Sequence, residues 1–120
     1  MKIAVSADGY SLYSNPSPIL GKSNAFIIID LEDNEIKNIK SLENPAKKWT
    51  GSGNTAANFI ANHDVEILIS GKFGNVAFQI LKNADIKTYK FTSGTVEKNV
   101  KQFIKGKLKE ITSVDSGFPE

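Results

Sequence analysis

The chain alternates short apolar runs with polar breaks, and the spacing inside each run indicates the element. Lys2 to Ser6 carries Ile3, Ala4 and Val5 in a β-type run that stops at the turn signal Asp8-Gly9. Tyr10 to Pro18, with its serines, Asn15, Pro16 and Pro18, predicts an irregular loop. Ala25 to Leu31 (AFIIIDL) is β-branched, apolar and too short for a helix. Glu32-Asp33-Asn34 then predicts a hairpin connection. Glu35 to Leu42 predicts a more polar returning strand, whose Lys37 and Lys40 suit a solvated edge.

Asn44-Pro45 breaks that strand, and the spacing changes beyond it. Trp49-Thr50-Gly51-Ser52-Gly53 is a glycine-rich approach to a helix over Asn54 to His63. In that helix Ala56, Phe59, Ile60 and His63 share one face. Val65 to Ser70 (VEILIS) predicts a buried strand ended by Gly71. Val76, Ala77, Ile80, Leu81 and Ala84 make a second amphipathic helix with Asn75 as its expected N-cap. Ile86 to Phe91 predicts another strand. Thr95 caps a third helix in which Val96, Val100, Phe103 and Ile104 share a face, and Gly106 stands where a C′ glycine belongs. The order is βββαβαβα, which predicts an α/β fold with a mixed five-stranded sheet and three helices. We expect one domain over residues 1–106 and a polar, mobile tail over 107–120.

Composition narrows the chemistry. The chain has 120 residues, 40% hydrophobic and 23% charged, enough for one domain with a core of its own. Cysteine is absent, which excludes a disulfide framework, a thiolate nucleophile and cysteine-held zinc or iron–sulfur sites. A single histidine excludes a two-histidine metal motif. All 15 basic residues are lysine, and the net charge is +2. Readers of DNA sequence favour arginine for bidentate contacts, so no nucleic-acid partner is expected. No apolar run reaches the length of a membrane span and no leader-like pattern opens the chain, so the expected compartment is the cytoplasm.

Ligands of open α/β sheets bind beyond the carboxyl ends of the parallel strands. Four glycine-bearing loops are expected near that edge: Ala7 to Gly9, Thr50 to Gly53, Gly71 to Gly74 and Thr92 to Gly94. Glycine permits close approach of a ligand to the backbone, and N–H groups at helix starts suit an anion. The plainer alternative is that these are ordinary turn and cap glycines. Thr50-Gly51-Ser52-Gly53-Asn54 is neither a Walker loop nor a complete dinucleotide fingerprint. Lys47-Lys48-Trp49 is either a cationic lip or a solvated lysine pair beside a core tryptophan. His63 is a candidate metal ligand, but a histidine in a last helical turn is commonly a cap. Asp8 and Asp30 lack the further carboxylates a two-metal nuclease needs, and no nucleophile–base pair can be named, so no enzyme activity is expected.

The segments MKIAVSADG, SPILGKSNAFIIID, ENPAKKWTGSGNTAANFI, VEILISGKFGNVAFQILKNADIKTY and TVEKNVKQFIKGKLKEI occur in an order and spacing that run from Met1 to Ile111. Together they resemble the dinitrogenase iron–molybdenum cofactor biosynthesis family, small domains similar to NifX and to the C-terminal part of NifB. The resemblance implies a ribonuclease-H-like layout. It also implies a binding or carrier role for iron–molybdenum cofactor or its iron–sulfur precursors, without catalysis. Asn44-Pro45, Gly51, Gly53, Gly71, Gly74 and Gly106 match the family pattern. The loop Ser17-Pro18-Ile19-Leu20-Gly21 departs from it. Ile19 stands where some relatives have histidine, Ser23 where some have cysteine, and Leu20 where an aromatic is common. Soft or imidazole ligands are therefore missing, and an anionic cluster would be held by N–H groups and lysine. The residues implied for that task are Asp8, Gly9, Gly21, Lys22, Gly51, Ser52, Gly53, Gly71, Lys72 and Gly74. The expected partner is a small anionic ligand or metal cluster, or another protein. Alternatives are an interaction or regulatory module that has lost the cluster site, and a small-anion or nucleotide binder using the glycine loops.

Overall fold

The structure, a computed structural model, describes residues 1–48 and 52–114. The sheet begins with β1 (Lys2–Ala7), β2 (Ala25–Glu32) and β3 (Glu35–Glu43), paired antiparallel in turn. Asp33 and Asn34 close the β2–β3 hairpin with φ of 53° and 63°. This double left-handed turn is one that Asp and Asn tolerate and that matches strand twist. Helix α1 (Ser52–Ala61) leads to β4 (Ile67–Ser70), α2 (Asn75–Asn83) to β5 (Lys87–Lys90), and α3 (Val96–Ile104) to β6 (Lys109–Glu110). The order across the sheet is β3-β2-β1-β4-β5-β6, with β4 parallel to β1 and to β5.

The sheet is mixed, as the pattern predicts, but among the described residues it has six strands rather than five. The sixth comes from the segment expected to be tail. Lys109 and Glu110 pair antiparallel with Lys90 and Tyr89. The Ile111 N–H donates to the Thr88 carbonyl at 2.7 Å, and Ile111 and Val114 pack against the core. The mobility expected at 115–120 concerns residues outside those described.

Two apolar layers hold the fold, because the central strands are buried on both faces. Ala4, Phe26, Ile28 and Leu68 face α1 and α2, meeting Ala56, Ile60, Ala77 and Leu81. Ile3, Val5, Ile27, Ile29 and Ile69 face the other way onto Val96 and Val100 of α3. This alternation explains the apolar run in AFIIIDL: Phe26 and Ile28 serve one core, Ile27, Ile29 and Leu31 the other. The Thr95 hydroxyl accepts from the Lys98 N–H at 3.1 Å and caps α3 as expected. Gly106, at φ 71°, ends it: its N–H reaches the Phe103 carbonyl and the Lys107 N–H reaches Gln102. Helix α2 begins one residue earlier than expected. Gly74, extended at φ −92° and ψ −175°, is its N-cap, with Asn75 the first helical residue.

Candidate functional site

The parallel strands β1, β4 and β5 end at Ala7, Ser70 and Lys90, and their following loops leave from one edge of the sheet. The return segment into β2 closes that edge. Pro16 pairs antiparallel with Ala7, and Ile19 pairs parallel with Lys72. The Ser17 N–H donates to the Ser6 carbonyl, Lys72 N–H to Pro18, and Leu20 N–H to Lys72, at 2.8 to 3.0 Å. One stretch of main chain, Pro16 to Leu20, is thus stitched to β1 and to the turn after β4. Beneath it, the buried Ser6 and Ser70 hydroxyls share a 2.9 Å hydrogen bond.

This stitching brings several of the expected residues together. A Cβ on Gly21 would lie 2.4 Å from the Ser52 Oγ and 2.5 Å from the Gly53 nitrogen, so Gly21 packs on the first turn of α1. A Cβ on Gly71 would lie 2.2 Å from the Pro18 oxygen. The loops at Ser52-Gly53 and at Gly71-Lys72 therefore rest against the same Pro18–Gly21 segment. The reason for the two glycines changes, however. At Gly21 and Gly71 the close approach is by the protein's own backbone, not by a ligand. Gly9 faces the Ser14 side chain. Gly51 lies outside the described residues. Asp8, Lys22 and Lys72 are exposed at the rim, with Gly21, Ser52, Gly53, Gly71 and Gly74 buried behind them.

The fourth loop, Thr92 to Gly94, is locked rather than open. Asn99, fully buried, accepts from the Thr92 N–H and donates to the Thr92 and Thr95 carbonyls at 2.8 to 3.0 Å. The first N–H groups of α3 are taken too: Val96 donates to the Ser14 carbonyl and Glu97 to Leu12. A helix start whose donors are satisfied by carbonyls has little left for an anion.

Two asparagines to which sequence reasoning gave no task in the site organise the rim. Asn44, 4% exposed, donates through Nδ2 to the Gly21 and Ser23 carbonyls at 3.1 and 3.0 Å, and its Oδ1 accepts from the Ala46 N–H. Its own N–H donates to the Asn24 carbonyl. The Asn24 amide donates to the Asp8 carbonyl at 2.6 Å and accepts from the Lys47 ammonium. The Lys22 ammonium in turn reaches the Lys47 carbonyl at 3.5 Å. The only sequence signal for either was a polar residue before a proline, at Asn44-Pro45.

The metal-ligand positions read differently. Ser23 is buried, and its hydroxyl donates to the Leu20 and Ile19 carbonyls. Leu20 is buried, while Ile19 is 39% exposed. His63 lies two residues past the end of α1, with Nδ1 2.6 Å from the Phe59 carbonyl and its ring 4.5 Å from that of Phe59. That is a helix-end cap, and among the described residues no three His, Cys, Asp or Glu groups gather as metal ligands. The Asn54 Oδ1, in the first turn of α1, is buried with no hydrogen-bond partner among the described residues.

Two clefts among the described residues lie elsewhere. One of about 690 Å³, at the opposite edge, is lined by Met1, Leu31, Glu32, Asp33, Asn34, Phe103 and Ile104. Another of about 450 Å³ lies between α2 and β5–β6, with Phe78, Lys82, Asp85 and Glu110 among its walls. Neither includes a residue expected to bind the cluster. No described helix is long and apolar enough to cross a membrane.

The profile of the family described as dinitrogenase iron-molybdenum cofactor matches residues 1–106. An uncharacterized protein of Methanocaldococcus jannaschii is 35% identical over 111 residues, covering 92% of this chain and 91% of its own. The apo form of the orange protein from Desulfovibrio gigas superposes with a TM-score of 0.86 at 27% identity, over 95% of both chains. A NifB-type protein from Thermotoga, solved by NMR, gives a TM-score of 0.82 at 31% identity over 98% of each chain.

Proposed function

We propose, from the premise that this chain belongs to the dinitrogenase iron-molybdenum cofactor family, that it is a non-catalytic binding protein for an anionic metal–sulfur cofactor. The ligand class we infer is iron–molybdenum cofactor or an iron–sulfur precursor. The observation that carries this reading is the single Pro16–Leu20 stretch joining β1 to the Gly71-Lys72 turn, with its neighbour Gly21 seated on the start of α1. The strand order 3-2-1-4-5, with β2 antiparallel to its neighbours, supports the ribonuclease-H-like layout that the resemblance implies.

The groups proposed to hold the cluster are Lys22 and Lys72 at the rim, with the main chain of Gly9, Gly21, Gly53 and Gly74 behind it. Asp8 borders them and sets the acidic limit of the site. Such a cluster is held here by charge and hydrogen bonds, because the chain presents no thiolate at this edge. The cytoplasm, where thiols and clusters stay reduced, is the compartment that suits this role.

A second reading has its own observation. Ser23 uses its hydroxyl inside the loop, and Ile19 and Val76 stand exposed at 39% and 53% on or beside the same turns. An apolar rim without soft ligands fits an interaction module that has lost the cluster site. Anaerobic titration of the chain with isolated iron–molybdenum cofactor, and with simple iron–sulfur clusters, separates the two through amide chemical shifts. Shifts confined to residues 7–9, 18–24, 52–54 and 71–75 support the carrier. An unchanged spectrum at millimolar cluster refutes it in favour of the interaction module.

A further inference from the structure

The Lys47-Lys48 pair left two readings open, a cationic lip or a solvated pair, and the structure gives Lys47 named partners. Lys47 is exposed, yet its ammonium folds back onto the Asn24 amide oxygen rather than into solvent. Asn24 is half-buried and held by its own Nδ2 on the Asp8 carbonyl. The Lys22 ammonium meets the Lys47 carbonyl from the other side. Lys47 thus has a fixed place beside Asp8 and Lys22, two residues of the proposed site. Its partner there is a neutral amide, and no carboxylate among the described residues lies within ion-pair distance of it.

A neutral partner matters. An ammonium paired with a carboxylate presents little net charge to a ligand, whereas one held by an amide oxygen keeps its full charge and gains a direction. The Lys22 ammonium is brought to the Lys47 main chain at 3.5 Å, so the two lysines belong to one patch of the rim.

We propose that Lys47, positioned by Asn24, is a binding residue of this site, and that with Lys22 it forms a clamp for an anion carrying at least two negative charges. The inference rests on the reading of the site as an anion-binding edge. Lys47 touches the ligand. Asn24 acts through Lys47 and is a positioning residue.

The test uses the full chain under anaerobic conditions, with isolated iron–molybdenum cofactor as one probe and pyrophosphate as a second. Lys47→Gln should weaken binding roughly tenfold and make it less sensitive to salt, while Lys47→Arg should keep most of the affinity. Asn24→Ala should weaken binding in the native background and have no further effect in the Lys47→Gln background. A merely structural Asn24 would cost the same in both. Amide spectra away from residues 7–9 and 22–48 report that each variant is folded. Native chain that binds either probe while Lys47→Gln binds it equally well overturns the clamp and leaves the site standing. Native chain that ignores both probes overturns the site and the clamp together.

Discussion

Gly71 offers the sharpest test of how the site edge is built. Its φ lies outside the left-handed region, so the backbone alone does not demand glycine. What demands it is the Pro18 main chain: an added Cβ would meet the Pro18 oxygen at 2.2 Å, its carbonyl carbon at 2.5 Å and its Cα at 2.8 Å. None of these atoms can rotate away. In Gly71→Ala the Pro18–Leu20 segment must lift, and the hydrogen bonds from Lys72 N–H to Pro18 and from Leu20 N–H to Lys72 break with it. Two such bonds are worth about 1 kcal/mol each, and overpacking a closed contact adds about 1–3 kcal/mol, so the expected loss is about 3–5 kcal/mol. Gly106→Ala is the control. Gly106 has φ 71° but nothing within 4 Å of the new Cβ, so only the left-handed penalty of about 1–2 kcal/mol applies. Urea denaturation followed by circular dichroism measures both. With a slope of about 1.5 kcal/mol/M, a 3 kcal/mol loss lowers the midpoint by about 2 M. A Gly71→Ala midpoint within about 0.3 M of the native chain would refute the proposed stitching, as would a larger effect at Gly106.

Two further perturbations separate scaffold from surface. Asn99→Ala should cost about 2–3 kcal/mol, since three hydrogen bonds that close the Thr92–Thr95 loop end on that one buried amide. Native-state hydrogen exchange should quicken at the Thr92 amide, and an unchanged rate there would contradict the latch. In the sheet, Ser6→Ala should cost about 1–2 kcal/mol by stranding the buried Ser70 hydroxyl, whereas Ser6→Ala with Ser70→Ala should recover most of it. A double-mutant cycle that finds the two losses additive would break the argument for their pairing.

The elements legible in the sequence were those whose signal is local. The β2 run, the turn after it, the Thr95 cap and Gly106 each announce themselves within a few residues, and each is found where it was read, save that Glu32, read as part of the turn, is the last residue of β2. Strand β6 is different. Lys109-Glu110 is two charged residues with no alternation of their own, and they become strand only because α3 delivers them beside β5. Asn75 ranks with the best N-caps, yet Gly74 takes that place because its extended backbone already turns the chain into α2, with no side-chain bond needed. The site divides in the same way. Gathering the glycine loops at one edge required only strand order. The reasons for Gly21 and Gly71, the hold of Asn24 on Asp8, and the bonds from Asn44 to Gly21 and Ser23 depend on partners 16 or more residues away; only the Asn44 bond to the Ala46 N–H is local.

For the function proposed here, the same contacts decide what kind of attraction this edge would exert on an anion. Helix starts suggested an anion site made of rigid N–H donors, but α3 gives its first donors to Leu12, Ser14 and Thr95. The main chain of Pro16 to Leu20 likewise bonds to β1 and Lys72. Beside the main chain at Gly53 and Gly74, the proposed attraction then leans on ammonium groups on long stems, which act over several ångströms and weaken with salt, at a screening length of about 8 Å near physiological ionic strength. Point charges of this kind steer and hold an anion without dictating its shape. The shape is set beneath them, by Asn44 tying the Gly21 and Ser23 carbonyls to the Ala46 N–H. Removing one lysine subtracts one charge, while disturbing Asn44 or Gly71 displaces several stems at once. The anion affinity proposed for this edge is therefore expected to be more vulnerable to changes in its buried frame than to any single change on its charged rim.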